Sequence, residues 1–316
     1  MKLHQLKTLN AVVNTGGVRA AARALGVSST AVTKALHELE ADLGVQLLHR
    51  HSGGVSLTDY GRALHVHAKS VLKQLERADS EIRMMHGANA SKLTIGVTPW
   101  VALTFLPPTV IKFRALMPEV KLEFYEGLLA IVQPLLRDGT LDFSIGRAPD
   151  EPVRSEFRTV PIFSSQAAIV GRKDHPKRNS RTLHELTEAE WLLTWDPAGE
   201  APMLEALFRK HGVQVPKTIH LAHSVSVGLG LLTQTDMLGV YPWPLVEIGL
   251  MRDGLTALPL REVVDQSTVC IMSRKDVGMS PAANCFFECF REVIHEMERS
   301  SEPNKRRLFH SLEVLL

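Results

Sequence analysis

The chain has 316 residues, 45% of them apolar and 22% charged, and a formal net charge of +2. That length and mixture predict about two globular domains and exclude a chain that is disordered throughout. No run of about 18 apolar residues exists to span a membrane, the first residues lack the apolar stretch of a secretory signal, and three cysteines, an odd number, argue against a disulfide framework. The expected setting is therefore the cytoplasm. The small net charge conceals an asymmetry: residues 1–90 carry +4 and seven of the 14 histidines, and the remainder carries −2. A basic terminal module is an electrostatic hint of nucleic-acid binding.

Leu3, Leu6, Leu9 and Val13 recur at helical spacing, and Gly16-Gly17 ends that first helix. Val18 to Leu25 reads as a second, short helix carrying Arg19 and Arg23, followed by a tight turn at Gly26-Val27. Ser28 is a good N-cap for a third helix that runs to about Leu43 and ends at Gly44. This is helix-turn-helix spacing. Small Ala22 suits the crossing of the two helices, and Leu25, Val32, Leu36 and Leu39 are expected on the buried side. The opposite face shows Ser29, Thr30, Thr33, Lys34 and His37, short or hydrogen-bonding side chains suited to base edges and phosphates. With Ser28 and Arg19 they form the expected DNA-contacting set; an ordinary polar helix surface is the other reading. Leu47 to Leu57 reads as a β-hairpin with a Gly53-Gly54 turn, a wing on which Arg50 is placed to reach backbone phosphate.

From Thr58 to about His86 there is no proline. Leu64, Ala68, Val71, Leu75, Ala78, Ile82 and Met85 alternate in steps of four and three, an a/d seam over three heptads. A long helix with one narrow apolar stripe buries it most simply against a second copy; packing on the chain's own body is the alternative. A dimer places two reading helices about 34 Å apart, the geometry of an imperfect palindrome. Residues 87–91 read as a hinge.

Beyond the hinge, strands are expected at Lys92–Thr98, Val120–Tyr125 and Leu141–Ile145, separated by helices over Trp100–Leu116 and Leu128–Arg137. That alternation implies a parallel α/β sheet. A similar pattern follows from Ala167 to Tyr241, and a last strand (Thr268–Met272) and helix (Ala282–Glu298) end it. Ligands of open α/β sheets bind beyond the carboxyl ends of strands. The residues there are Thr98, Pro99 and Trp100, Arg147, Trp195, His223 and Ser224, and Tyr241. Thr98 precedes a helix whose free N–H groups suit an anion, and Arg147 can pair an anion bidentately. Capping by Thr98 and Ser224, an interdomain ion pair for Arg147, and core packing for Trp100 and Trp195 are the competing roles.

No complete catalytic motif is present. The three His-Glu pairs, His37-Glu38, His184-Glu185 and His295-Glu296, lack the second histidine of a zinc-protease helix, and Gly228-Leu229-Gly230 lacks the third glycine of a dinucleotide fingerprint. Cys285 and Cys289, four apart on one helix face, read as buried apolar residues. An enzyme, a cofactor and a metal site are not expected.

The run from Val18-Arg19-Ala20-Ala21-Ala22-Arg23 through Ser28 to Glu40, with Leu43-Gly44-Val45-Gln46-Leu47-Leu48-His49-Arg50, Gly54-Val55-Ser56-Leu57-Thr58 and Gly61, resembles the LysR-type transcriptional regulators. The resemblance extends through the organisation of the whole chain. It implies a winged helix-turn-helix domain at 1–57, a linker and dimerisation helix at 58–88, and an α/β effector-binding domain at 89–300. That domain would have two lobes like those of periplasmic binding proteins: lobe I at 91–161 and 267–300, lobe II at 162–266, with crossings near Pro161-Ile162 and Asp265-Gln266. The implied partners are a double-stranded DNA operator, a small organic effector of aromatic or organic-acid type in the interlobe cleft, a homodimer assembling into a homotetramer, and RNA polymerase if the chain is an activator. One departure is that Ser29-Thr30 replaces the family's usual Gln-Pro, so its base preference does not transfer. Residues 301–316, a C-terminal tail, exceed the family's usual length; Leu308, Phe309, Leu312, Leu315 and Leu316 are expected to form one amphipathic face docked on its own domain or on a neighbouring subunit. A solute-binding protein and an enzyme with an appended DNA-binding module are the alternatives, opposed by the N-terminal module and by the lack of a complete catalytic motif.

Overall fold

The computed structural model describes residues 1–51, 54–85, 92–149, 151, 153–194, 202–275 and 277–316. The chain divides into two compact units, Met1–Ala90 with Leu135–Thr140, and Ser91–Pro134 with Leu141–Leu316.

The first unit opens with three helices, α1 (Leu3–Thr15), α2 (Val18–Leu25) and α3 (Ser29–Leu43). A hairpin follows, β1 (Leu48–His51) and β2 (Gly54–Leu57), and then the long α4 (Asp59–Met85). Leu9, Val12, Ala21, Ala22, Val32 and Leu36 make the core where the helices meet. Gly26, at φ +67, turns the chain between α2 and α3, a backbone state that costs little only for glycine. Leu25 corrects the expected core: the turn leaves it 36% exposed beside exposed Val27, because the helix ends before its side chain reaches the crossing. Leu64 packs on this core and Ala68 is buried, whereas Val71, Leu75 and Ile82 lie exposed along the rest of α4.

In the second unit the elements run β3 (Lys92–Val97), α5 (Pro99–Leu103), α6 (Leu106–Leu116), β4 (Lys121–Glu126), α7 (Leu129–Arg137), β5 (Phe143–Arg147) and β6 (Phe157–Ser165). They continue with β7 (Ala167–Arg172), β8 (Glu190–Thr194), α8 (Pro202–Lys210), β9 (Ile219–Ala222), α9 (Val225–Gln234) and β10 (Met237–Pro242). The last are α10 (Trp243–Val246), α11 (Gly249–Arg252), β11 (Leu255–Ala257), β12 (Ser267–Arg274), α12 (Pro281–Glu298), α13 (Pro303–His310) and β13 (Leu312–Val314). One helix expected over 100–116 is two: Thr104 donates its hydroxyl to the Trp100 carbonyl at 2.7 Å, and α6 restarts behind fully buried Phe105.

Two sheets define two lobes. Lobe I holds six strands in the order β13-β6-β12-β5-β3-β4, and lobe II five in the order β11-β7-β10-β8-β9. β3 runs parallel to β4 and β5, and β8 parallel to β9 and β10, as alternating strands and helices require. β12 returns to lobe I antiparallel to β5 and β6. β6 stays paired to β12 as far as Ser165 opposite Ser267, so the first passage between lobes falls at Gln166, beyond the expected Pro161-Ile162. The strands bury both faces: Trp191 and Leu193 pack on Phe208 and Leu204 on one side of lobe II, and Leu192 faces the other core.

The tail departs from a single amphipathic helix. α13 ends at His310, Leu308 is buried, Phe309 meets Phe105 edge-on at 5.9 Å, and β13 pairs with β6. It docks on lobe I through helix and strand both.

Candidate functional site

The N-terminal unit presents one polar helix row on a fixed frame. The Ser28 hydroxyl accepts from the Ala31 amide at 3.1 Å, capping α3. Thr33 is half-buried and donates its hydroxyl to the Ser29 carbonyl at 3.0 Å. Both hydroxyls are thus engaged with the helix backbone. Ser29, Thr30, Lys34 and His37 are exposed, as is Arg19 on α2. Lys34 reaches only to 4.0 Å from the Glu38 carboxylate and its side chain is 77% exposed, so its charge is free for a phosphate or a base edge. Arg50 sits on β1 opposite Val55; its side chain lies outside the described residues.

Three supports of this frame escaped the sequence reading. The Glu40 carboxylate accepts from the amides of Leu47 and Leu48 at 2.8 and 3.3 Å, tying α3 to the start of the hairpin. Thr58 caps α4, accepting from the Gly61 amide at 2.9 Å while donating to the Gln46 carbonyl at 2.7 Å. A threonine just before a helical run is the local signal that marks such a cap. Asn10 on α1 meets His65 on α4 at 3.1 Å, and burial, with Lys69 nearby, holds the His65 imidazole below its ordinary pKa of 6.5. Nothing local signals that last pair.

In the second unit Thr98, Arg147, His223, Ser224 and Tyr241 stand at or next to strand carboxyl ends, in unequal states. Thr98 is half-buried and its amide donates to the Ile145 carbonyl at 2.9 Å, joining the ends of β3 and β5. It precedes α5 but makes no side-chain cap. α5 has only five residues and begins with Pro99, which lacks an N–H, and its first helical bond runs from the Ala102 amide to the Thr98 carbonyl at 3.0 Å. Trp100 is a core residue: it is buried with its ring 5.4 Å from Phe163 and 6.0 Å from Phe105, which corrects its expected place in the cleft. Tyr241 is also buried; Thr194 is its side-chain hydrogen-bond partner, and burial pushes the phenol pKa up. Its hydroxyl lies where a Cβ on Gly228 would be, 2.1 Å away.

Arg147 stands differently. It ends β5, is exposed, and among the described residues has no ion-pair partner. Ser224 precedes α9, and its hydroxyl meets that of Ser226 at 2.8 Å instead of capping the helix. His223 is exposed beside it. Trp195 lies outside the described residues. Burial pushes the Cys270 thiol up to about 12 and that of Cys289 to about 11, so both remain neutral apolar groups. Among the described residues no group of three or more His, Cys, Asp or Glu is placed to hold a metal, and no helix is long and apolar enough to cross a membrane.

Residues 3–62 match the family described as "Bacterial regulatory helix-turn-helix protein, lysR family" and residues 86–294 match "LysR substrate binding domain". The HTH-type transcriptional regulator TdcA of Escherichia coli strain K12 is 25% identical over 291 residues, covering 92% of this chain and 93% of TdcA. The regulator GbpR of Azospirillum brasilense is 28% identical over 312 residues, covering 97% and 89%. Among solved structures, ArgP from Mycobacterium tuberculosis superposes with a TM-score of 0.70 at 19% identity, covering 92% of this chain and 96% of ArgP. Full-length CbnR complexed with its target DNA gives 0.64 at 22% identity, covering 93% and 100%. At those identities the structural likeness speaks to the fold. The two sequence matches fall on the helix-turn-helix unit and on the two-lobed unit in turn, and the chain therefore belongs to the LysR family of transcriptional regulators, with a DNA-binding N-terminal module and an effector-binding C-terminal domain.

Proposed function

We propose that this regulator binds an imperfect palindromic operator as a symmetric oligomer in the cytoplasm, without catalysis of its own, and responds to a small organic acid held between its lobes. The observation that carries the reading is the exposed row Ser29, Thr30, Lys34 and His37 on a capped helix behind a helix-turn-helix turn. For the effector, the support is Arg147, a guanidinium at the carboxyl end of a strand, with no ion-pair partner among the described residues and suited to a carboxylate. Thr98, Ser224 and His223 are the polar groups proposed to share that cleft.

Two apolar surfaces support the oligomer. One is the stripe Val71, Leu75 and Ile82 on α4; the other is proposed to draw on Ile111 and Leu116 of α6 and on Val227 and Leu231 of α9, each exposed in the single chain. Two separate self-complementary surfaces per chain are what a tetramer built from dimers requires. RNA polymerase joins the partners if the chain is an activator.

A gel-shift on the DNA upstream of the chain's own gene tests the reading. Sequence-dependent retardation at moderate salt is expected, weakened by Lys34→Ala and by Arg50→Ala. Loss of one phosphate contact lowers the log–log salt slope by about 0.9. Binding that is absent, or indifferent to sequence, overturns the proposal.

A further inference from the structure

A cavity of about 450 Å³ lies against the strands that join the two lobes, within the ~300–1,000 Å³ range of small-ligand pockets. Its floor is Ser164, Ser165 and Gln166 at the end of β6, with Gln266 just before β12. The tail makes one wall with Arg307, His310, Ser311 and Glu313, and lobe II makes another with Trp243 and Glu247. None of Thr98, Arg147, His223, Ser224 and Tyr241 lines it, so it is separate from the proposed cleft.

The position is built, not incidental. β13 pairs Leu312 with Ser165 and Glu313 with Ser164. The Ser164 hydroxyl donates to the Gln266 side-chain carbonyl at 3.2 Å, and the Trp243 amide donates to the Gln166 carbonyl at 3.0 Å. Against that order, Ser165 is 4% exposed and its buried hydroxyl has no hydrogen-bond partner among the described residues. Native proteins satisfy nearly all such groups. The charges on the walls are unspent too: among the described residues Arg307 has no carboxylate partner, and Glu247 and Glu313 have no cation.

An unpaired cation and unpaired carboxylates around one small cavity complement a ligand that carries both signs. We propose that this cavity is a second small-molecule site that binds a free α-amino acid, its carboxylate on Arg307 and its ammonium on Glu247, with Ser165 and the two glutamine amides completing its hydrogen bonds. Arg307 belongs to a tail docked on lobe I and Glu247 to lobe II, so the bound amino acid ties the lobes together beside their joining strands. Occupancy then biases the lobe angle independently of the cleft, by the difference in its affinity for the two arrangements.

The test is a thermal-shift series on the full chain with the proteinogenic L-amino acids, one by one. At least one is expected to raise Tm in proportion to the logarithm of its concentration. Arg307→Ala and Glu247→Gln are each expected to weaken that amino acid about tenfold or more, and Arg147→Ala to leave it unchanged. On the wild type, its N-acetyl derivative, lacking the ammonium, and its methyl ester, lacking the carboxylate, are expected to bind about tenfold more weakly or worse. The proposal is overturned if no amino acid shifts Tm, if both single-charge derivatives match the parent, or if Arg147→Ala abolishes the shift while Arg307→Ala and Glu247→Gln retain it.

Discussion

Gly61 shows how one residue holds the DNA-binding unit together. A Cβ there would lie 2.0 Å from the Leu47 carbonyl oxygen, which is backbone and cannot swing aside. Gly61→Ala is therefore expected to destabilise the unit by about 1–3 kcal/mol, lowering its denaturation midpoint; an unchanged midpoint refutes the close approach. His65 gives a prediction in pH. Burial keeps its folded pKa below the ordinary 6.5, so the unfolded state binds more protons as pH falls from 6.5 towards the folded value. The stabilising contribution of neutral His65 is thus intact above pH 6.5 and is lost as pH falls through that window. His65→Gln is expected to flatten the fall in stability below pH 6.5, followed by urea midpoints; a slope equal to wild type rules His65 out. Neither residue's role was fully legible in the sequence. The threonine cap before α4 obeys a local rule, but the Leu47–Gly61 and Asn10–His65 approaches join residues that only the folded chain brings together.

At the scale of the element, periodicity carried most of the fold, because each helix and strand declares its own buried face. The helix-turn-helix and the α4 stripe follow from spacing, and strands buried on both faces show as apolar runs such as Leu192-Leu193. What spacing missed depends on distant partners. The tail's leucines fit a helical face, yet Leu312 and Val314 belong to a strand because β6 offers a free edge. Trp100 stands at a strand end like a ligand residue, yet Phe105 and Phe163 take its ring into the core. α4 supplies the prediction here. Leu75 is 46% exposed in the single chain, and burying a leucine is worth about 2 kcal/mol. Only the exposed part, about 0.9 kcal/mol per copy, is left for the interface to bury; twofold symmetry changes both copies at once, so Leu75→Ala is expected to raise the dimer dissociation constant by about twentyfold. Sedimentation across a dilution series measures it, and a constant within threefold of wild type moves the interface off this stripe.

For the whole molecule, regulation is a coupling free energy, whatever path it takes through the chain. If an effector changes operator affinity by some factor, operator DNA must change effector affinity by the same factor. A set of aromatic and aliphatic organic acids, screened by thermal shift, identifies the probe. Labelled operator titrated with and without that acid then gives the factor, expected at about 5- to 150-fold. The acid titrated with and without operator must return the same number. Arg147→Ala separates binding from response. It removes the guanidinium proposed to pair the carboxylate, so effector affinity is expected to drop tenfold or more. Effector-free operator affinity should stay unchanged, because Arg147 belongs to the two-lobed unit and the reading row belongs to the N-terminal one. If the variant instead loses operator binding without losing effector binding, Arg147 serves the response and not the ligand. The cleft then needs another anion partner, for which His223 beside α9 is the next residue to substitute.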